Sequence, residues 1–364
     1  MSNRYGRGYQ PWLYTITIWA LARGPPQDWD IHMSETEERL PHHIQAPWLT
    51  VFKCDASLPG SMIQPLARIY DSHRMHSCPA KPTSSLTSLP LTWPHRGWDV
   101  KVVQEVVPSH RKPRTLSDRI AWRVIRLCRW GMDFLTGMPS EQKAGSNYRA
   151  MSESQWLVRF VFLETVAGIP GAVAGGLRHL HSIRRFKLDQ GWIKTLLEES
   201  YNERMHLLTF LDMYRPGKLM RLMVFLAQGI FYNTMFVGYL LSPSFCHRLV
   251  GYLEDEAVAT YTKCLDEIDK GRLPQWTDPN FKIPDLAVKY WNMPEGKRTM
   301  RDLILYIRAD EASHRGVNHT LANLDQVSDP NPFIEGHSNM NHMHLAAVRP
   351  AGLEREEVLE KYAR

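Results

Sequence analysis

Cysteine is scarce in this chain: five among 364 residues, at Cys54, Cys78, Cys128, Cys246 and Cys264. The count is odd and no two stand as C-x-x-C. That argues against a disulfide framework or a thiolate zinc site and points to a reducing compartment. A basic patch interleaved with aromatics is also missing, so nucleic acid is not an expected partner. The net charge of +6 is a mild excess that suits contact with an anionic membrane. Acids are absent before Asp28, whereas Arg4, Arg7 and Arg23 are present. A basic, acid-poor stretch of this kind fits an organellar presequence. Pro- and Ser-rich runs, such as Cys78 to Pro82 and Ser84 to Pro90, argue that residues 1–90 do not pack.

What is present is enough to bury a core, with 43% hydrophobic against 23% charged residues. Twelve Trp favour interfaces, including those between membrane and water. Pro94, Pro108 and Pro113 bound an extended arm over 91–118. A helical pattern starts near Ser117 and Asp118. In it Ile120, Val124, Leu127 and Cys128 fall at helical spacing among Arg119, Arg123, Arg126 and Arg129, the signature of a membrane-surface helix. Further helices are predicted over 154–180, kinked at Pro170, and over 192–213, 246–270 and 299–323. Residues 276–291 read as loop plus a short helix. The apolar stretch 219–241 is long enough to cross a bilayer at ~1.5 Å per residue. Arg221, Gln228 and Asn233 interrupt it, and another helix follows Ser242-Pro243 at once, so it is expected to lie within one leaflet. The tail, with His337, His342 and His344, reads as irregular and disordered.

The chemistry sits in two Glu-x-x-His motifs, Glu203-Arg204-Met205-His206 and Glu311-Ala312-Ser313-His314. Residues three apart share a helix face, so each pair can bind one ion together. Each motif follows an apolar helix with an inward-pointing Glu, Glu164 in the first case and Glu254 in the second. The order Glu, Glu-x-x-His, Glu, Glu-x-x-His is an internal repeat. Two copies about a pseudo-two-fold axis would bring six groups to the centre of a four-helix bundle, as in di-iron carboxylate proteins. Buried ionised carboxylates need a cation or a proton. A carboxylate-rich, thiolate-free set suits iron or manganese over zinc. Small residues after Glu164 (Ala167, Gly168, Gly171) would let a neighbouring helix approach closely. Tyr261 lies two turns beyond Glu254 on the same face and is placed to give an electron and a proton. Asn202 and Asp310 are positioned to orient the histidines. Arg159 and His247 flank the membrane-facing helices.

Leu163-Glu164-Thr165-Val166-Ala167-Gly168-Ile169-Pro170-Gly171, Asn202 to His206, Leu253-Glu254-Asp255-Glu256-Ala257 and Arg308 to His314 together resemble the alternative oxidases, from about Trp98 to Asn323. The resemblance implies an all-α, ferritin-like four-helix bundle with two additional membrane-associated helices. It implies a ubiquinol oxidase that reduces dioxygen to water at two Fe ions without pumping protons. It also implies a monotopic homodimer on the matrix side of the mitochondrial inner membrane. By the same likeness the metal ligands are Glu164, Glu203, His206, Glu254, Glu311 and His314, and the catalytic residue is Tyr261. The quinol pocket is Arg159, Leu163, His247, Glu256, Ala257 and Thr260. The supporting hydrogen bonds come from Trp98, Asn202, Asp310 and Trp291. Two positions depart from the pattern. Val158 replaces the cysteine of plant members, which argues against thiol regulation of the plant type. Tyr201 stands where many members have Glu, at a position that is not a ligand.

The expected organisation is therefore a presequence or disordered region (1–90), an arm (91–118), the bundle with its membrane helices (119–327) and a tail (328–364). A plastid-type plastoquinol oxidase and a non-enzymatic ferritin-like iron-binding protein are the alternatives.

Overall fold

The computed structural model describes residues 93–138, 150–334 and 342–362, all within the compact unit Cys78–Arg364. The expectations for residues 1–90 lie outside the described residues. Among those described, all regular structure is helical.

The arm is not wholly extended. Asp99 accepts a hydrogen bond from the Lys101 amide and starts a short helix, α1 (Val100–Glu105). Helix α2 (Leu116–Thr136) begins just before the predicted start at Ser117 and Asp118. Thr115 is its N-cap, and Asp118 returns the bond to the Thr115 amide, so the predicted cap residue is the far half of a capping box.

The expected kinked helix over 154–180 is two helices, α3 (Glu153–Ala167) and α4 (Ile169–Arg185), separated at Gly168. Pro170 sits in the first turn of α4, where its missing N–H costs nothing. Helix α5 (Trp192–Met213) runs back alongside α3 and α4. The small residues act as predicted. A Cβ on Gly171 would overlap the Leu196 carbonyl and one on Gly175 would meet Leu197, so the glycines let α4 close onto α5.

Helix α6 (Lys218–Leu241) is joined to α7 (Pro243–Asp269) through Ser242, which caps α7 by accepting from the Phe245 amide. The segment 274–291 holds two short helices rather than one, α8 (Pro274–Thr277) and α9 (Asp285–Tyr290). Helix α10 (Met300–Asn323) opens with a capping box between Thr299 and Asp302, and packs against α7 along most of its length.

The tail is more ordered than predicted. Helix α11 (His342–Ala347) lies on α10, where the missing side chain of Gly316 admits the Ala346 backbone, and α12 (Arg355–Tyr362) follows. The His344 ring stacks on Trp98, with centroids 5.1 Å apart.

Helices α3, α5, α7 and α10 form the four-helix bundle. Its core includes a stack of Phe160 on Phe210 and on Tyr261, each at 4.8 Å between centroids. Truncating either Phe to Ala there would cost about 3–5 kcal/mol. Helices α2 and α6 lie outside the bundle, and α6 buries only Met235 and Tyr239.

Candidate metal centre

Each bundle helix contributes its predicted side chain to one buried cluster. Glu164 comes from α3, Glu203 and His206 from α5, Glu254 from α7, and Glu311 and His314 from α10. All six are at most 5% exposed. They fall into two overlapping sets. Ligand atoms of Glu164, Glu203, His206 and Glu311 lie within 4.8 Å of one another, as do those of Glu203, Glu254, Glu311 and His314. Glu203 and Glu311 belong to both sets, as the pseudo-two-fold repeat requires. The His206 Nδ1 atom is 3.5 Å from Glu164, 3.4 Å from Glu203 and 3.3 Å from Glu311. The His314 Nδ1 atom is 2.6 Å from Glu203. Although close, both Nδ1 atoms and both Glu203 oxygens lack an aligned hydrogen bond. Buried polar atoms in that condition are costly, and atoms that converge without pairing suit a shared cation.

The protonation of the cluster makes the same point. Burial drives Glu164 up to about 8, and burial with the Glu311 charge drives Glu254 well above the carboxylate range. Burial also opposes charge on Glu203, but His206 and His314 outweigh it and hold that carboxylate well below its usual range. Burial lowers the two imidazoles, yet Glu203 foremost raises His206 well above its ordinary value and His314 to about 9. Protons on Glu164, Glu254 and the two imidazoles thus offset the buried charge of the cluster. Divalent cations can meet the same demand, releasing those protons on binding. The residues fit a metal centre in donor type, burial and convergence.

Asp310 organises one side of the centre. It is fully buried and accepts from the indole N–H of Trp98 and of Trp291, each at 2.7 Å, and from the Asn202 amide at 3.2 Å. His206 Nε2 lies 3.0 Å from it and His95 Nε2 2.9 Å. Burial opposes its charge, but His95 and His206 outweigh burial and keep Asp310 well below the usual range. An ionised carboxylate only accepts, so both Nε2 atoms carry protons. His206 Nδ1 is thereby left to present its lone pair to the centre when the ring is neutral. All four predicted network residues meet here. His95 and Tyr290, whose hydroxyl accepts from Asn202 at 3.0 Å, join them without any signal in the sequence. Each stands near a predicted network residue, His95 by Trp98 and Tyr290 beside Trp291, but nothing in their spacing points to the Asp310 carboxylate.

Tyr261 is 2% exposed, and its hydroxyl donates to Glu164. Burial and the Glu164 charge raise this phenol well above its normal range, so it holds its proton.

Beside the cluster, under α2, lies a second polar group. Arg159 donates to Asp133 and to Thr136, both at 2.7 Å. Arg129 bridges Asp133 (2.9 Å), Glu256 (2.8 Å) and the Thr260 hydroxyl (3.1 Å), and Arg126 reaches Glu256 at 3.2 Å. Leu163 and Ala257 are half-buried. The sequence gives no reason to expect Arg126, Arg129 and Asp133 in this group, although Arg129 and Asp133 stand four apart on an apolar helix. The group abuts the centre covalently: Leu163 precedes Glu164, and Thr260 precedes Tyr261.

His247 does not join them. It lies on α7 thirteen residues before Thr260, about 20 Å along the helix. Its Nδ1 is 3.0 Å from the Asn318 carbonyl oxygen and its Nε2 is 3.1 Å from the Tyr239 hydroxyl. The Asn318 amide nitrogen in turn donates to Glu199 at 2.9 and 3.0 Å. Burial lowers His247 to about 4 and raises Glu199 to about 7. Glu199 stands four residues before Glu203 and so shares its buried face of α5, but nothing in the sequence gives it a task.

Apolar side chains remain exposed on α2, including Leu127, Trp130 and Phe134, and on α6, including Leu219, Phe225 and Ile230. Two helical stretches, Glu153–Arg185 and Lys218–Leu241, are long and apolar enough to cross a membrane. The first carries Glu164 into the bundle. The second packs along α3, α4 and α7.

A model of the alternative oxidase family matches residues 98–323, which contain all six converging groups. The mitochondrial alternative oxidase of Pyricularia oryzae is 57% identical over 292 residues, covering 78% of each chain. That of Gelasinospora sp. is 57% identical over 293 residues, 77% of this chain and 81% of the relative. That of Neurospora crassa is 56% identical over 293 residues, with the same coverage. A likeness of that extent, carried on helices whose buried Glu and His side chains meet at one centre, means that the chain belongs to the alternative oxidase family.

Proposed function

We propose that this protein is a ubiquinol oxidase that couples quinol oxidation to reduction of dioxygen to water at a di-iron centre held by Glu164, Glu203, His206, Glu254, Glu311 and His314. One observation carries the reading: six buried donors in two overlapping sets adjoin a second buried polar group, which lies beneath a helix whose outer face is apolar. Two divalent ions balance four carboxylates, and the oxygen-rich donor set favours iron. When bound, the iron pair supplies stored electrons for a four-electron reduction.

The chain's own residues do the rest. A quinol entering between α2 and α7 meets Arg159, Glu256 and Thr260, with Leu163 and Ala257 against its ring. Charged donors and acceptors there orient the two quinol hydroxyls and accept their protons. His247, bonded to Tyr239 and Asn318, does not touch the charged group beneath α2. Tyr261 links the pocket to the centre. Its phenol already hydrogen-bonds Glu164 and can pass an electron and a proton together. Asp310 holds His206 in the tautomer that binds metal.

The exposed apolar faces of α2 and α6, with Arg119 and Arg123 beside them, support monotopic attachment to lipid. Both ends of α6 return to bundle helices, and its length lies along the bundle, so it rests in one leaflet. The relatives are named mitochondrial. With ubiquinol as substrate, that supports the inner membrane, matrix side, as the location and a homodimer as the form shared with the family. A ferritin-like store would not need α6 exposed or a charged group beneath α2.

Purified protein should consume oxygen with a short-chain ubiquinol, insensitively to cyanide and faster than with plastoquinol, and should carry two irons per chain. Cyanide-sensitive turnover, or none with any quinol at full iron loading, would overturn the reading.

A further inference from the structure

A cavity of about 130 Å³ reaches the metal cluster from the side that the quinol pocket does not use. Its walls are the start of the arm (Trp93 to Arg96), α5, Tyr290 of α9, α10, Phe333 and Ile334, and Met343 of α11. Among the described residues, none from α2, α3, α6 or α7 lines it, so it shares no wall with the pocket beneath α2 or with the exposed apolar faces.

It is graded from wet to buried. Near its mouth stand Lys194 and Glu198, 3.6 Å apart with side chains 45% and 44% exposed. At its inner end are Glu199, Asn202 and His314, each at most 7% exposed. Asn318 fixes the Glu199 carboxylate. The volume has room for several waters, and these buried groups provide the partners that ordered water needs.

The reaction makes such an opening necessary. Two quinols deliver four electrons and four protons to one dioxygen, giving two quinones and two waters. Quinone returns to the bilayer, but the water made at a buried centre cannot leave efficiently through a pocket that quinol fills and that faces lipid. We propose that the cavity bounded by α5, α10 and the arm is an aqueous port, through which product water leaves from the His314 side of the centre. The port rests on the quinol-oxidase reading above. It separates the traffic of the site, with lipid-soluble substrate entering under α2 and water leaving between α5 and α10.

The test has two arms on the iron-loaded protein bound to lipid vesicles. In the first, Val317→Cys and Thr195→Cys place a thiol on the cavity wall. A small charged methanethiosulfonate is added and each site is followed by mass spectrometry. The introduced thiols should react at least tenfold faster than Cys264, which is fully buried and lines neither this cavity nor the small one beside His247. Thiols no more reactive than Cys264 would overturn the port. In the second arm, Val317→Phe fills the cavity. With iron content and thermal midpoint unchanged, kcat should fall at least fivefold while the ubiquinol KM stays within twofold. Unchanged kcat in that variant would also overturn the port. Should the Phe variant not fold, the labelling arm decides alone. Labelling does not depend on turnover, so reactive introduced thiols alongside a wild-type protein that shows no quinol oxidation would sink the proposed function and leave a water-filled cavity. Unreactive thiols in an active oxidase would sink the port alone.

Discussion

The two Glu-x-x-His motifs look equivalent in sequence but sit in unlike surroundings. His206 is fully buried, stacks on Trp291 at 5.7 Å, and has its outer nitrogen held by Asp310 within a cage of two indoles, an amide and a second imidazole. His314 occupies the matching place on α10 but borders a cavity, and Asn202, the counterpart of Asp310, bonds Asp310 and Tyr290 instead. The neighbouring Glu199 acts on it through its charge. A repeat in sequence therefore built a symmetric set of donors and an asymmetric shell. One side is fixed by a dense set of hydrogen bonds, and the other borders the cavity directly through its histidine, with only the outer members of the first side, His95, Asn202 and Tyr290, reaching the same cavity. An oxidase that must both bind tightly and release product has use for each.

The comparison can be broken most directly at the ligands. Glu203 belongs to both donor sets and Glu254 to one. Glu203→Ala should lose both irons, whereas Glu254→Ala should lose chiefly the ion on the His314 side, and turnover should vanish in both. Iron per chain by elemental analysis, measured alongside oxygen uptake, checks this. Two irons retained in the Glu254 variant would end the assignment.

Tyr261→Phe comes next. It keeps the aromatic stack with Phe160 and Phe210 and removes only the hydroxyl, so iron should be kept and stability should fall by on the order of 1 kcal/mol. Quinol oxidation should nonetheless drop by about a hundredfold or more. Near-normal oxygen uptake in a folded, iron-loaded variant would make Tyr261 a packing residue.

The unlike shells can be tested against each other. Asp310→Asn removes the charge that fixes His206 and should weaken iron retention by about 10–100-fold. Glu199→Gln removes a carboxylate that makes no direct bond to His314, and should change retention by no more than about threefold. Competition with a chelator measures both, and equal losses would erase the distinction between the two shells.

The smallest effect concerns pH. His247 belongs to the side of the cavity through Asn318 and Glu199. Its folded value is lowered from 6.5 to about 4 by burial. Between those values the unfolded chain binds a proton that the folded chain refuses, so stability is complete above pH 6.5 and declines toward pH 4. At pH 5 the loss is about 2 kcal/mol. In His247→Gln the decline from pH 7 to 5 should be correspondingly shallower when thermal midpoints are compared. A parallel decline would remove His247 as its source.

Much of the centre is legible in the residues themselves. Two motifs at i and i+3, each paired with a Glu on an apolar helix, have one economical arrangement, because buried carboxylates must share charge with something. The stripe from Leu196 to Phe210, the close approach at Gly171 and the exposed face of the 219–241 helix likewise follow from helical period and side-chain size. Other features are not legible because they depend on encounters between distant segments. His95 reaches Asp310 across 215 positions, and Arg129 reaches Glu256 across 127. Long charged side chains on an amphipathic helix read equally well as solvated. Periodicity places His247 on the right helix but cannot say which group it faces. The tail reads as irregular because its order comes from α10, where Gly316 leaves a gap that the Ala346 backbone fills.

The sequence by itself determined the donor set, the helices that carry it and their amphipathic faces, since these follow from residue type and a period of 3.6. Tertiary structure alone decided which histidine is caged and which borders a cavity, where the arginines of α2 find their carboxylates, and that this cavity meets the centre from the side away from α2. The physical reason is that pairing, desolvation and empty volume are properties of surfaces brought together, and no single segment of chain contains them.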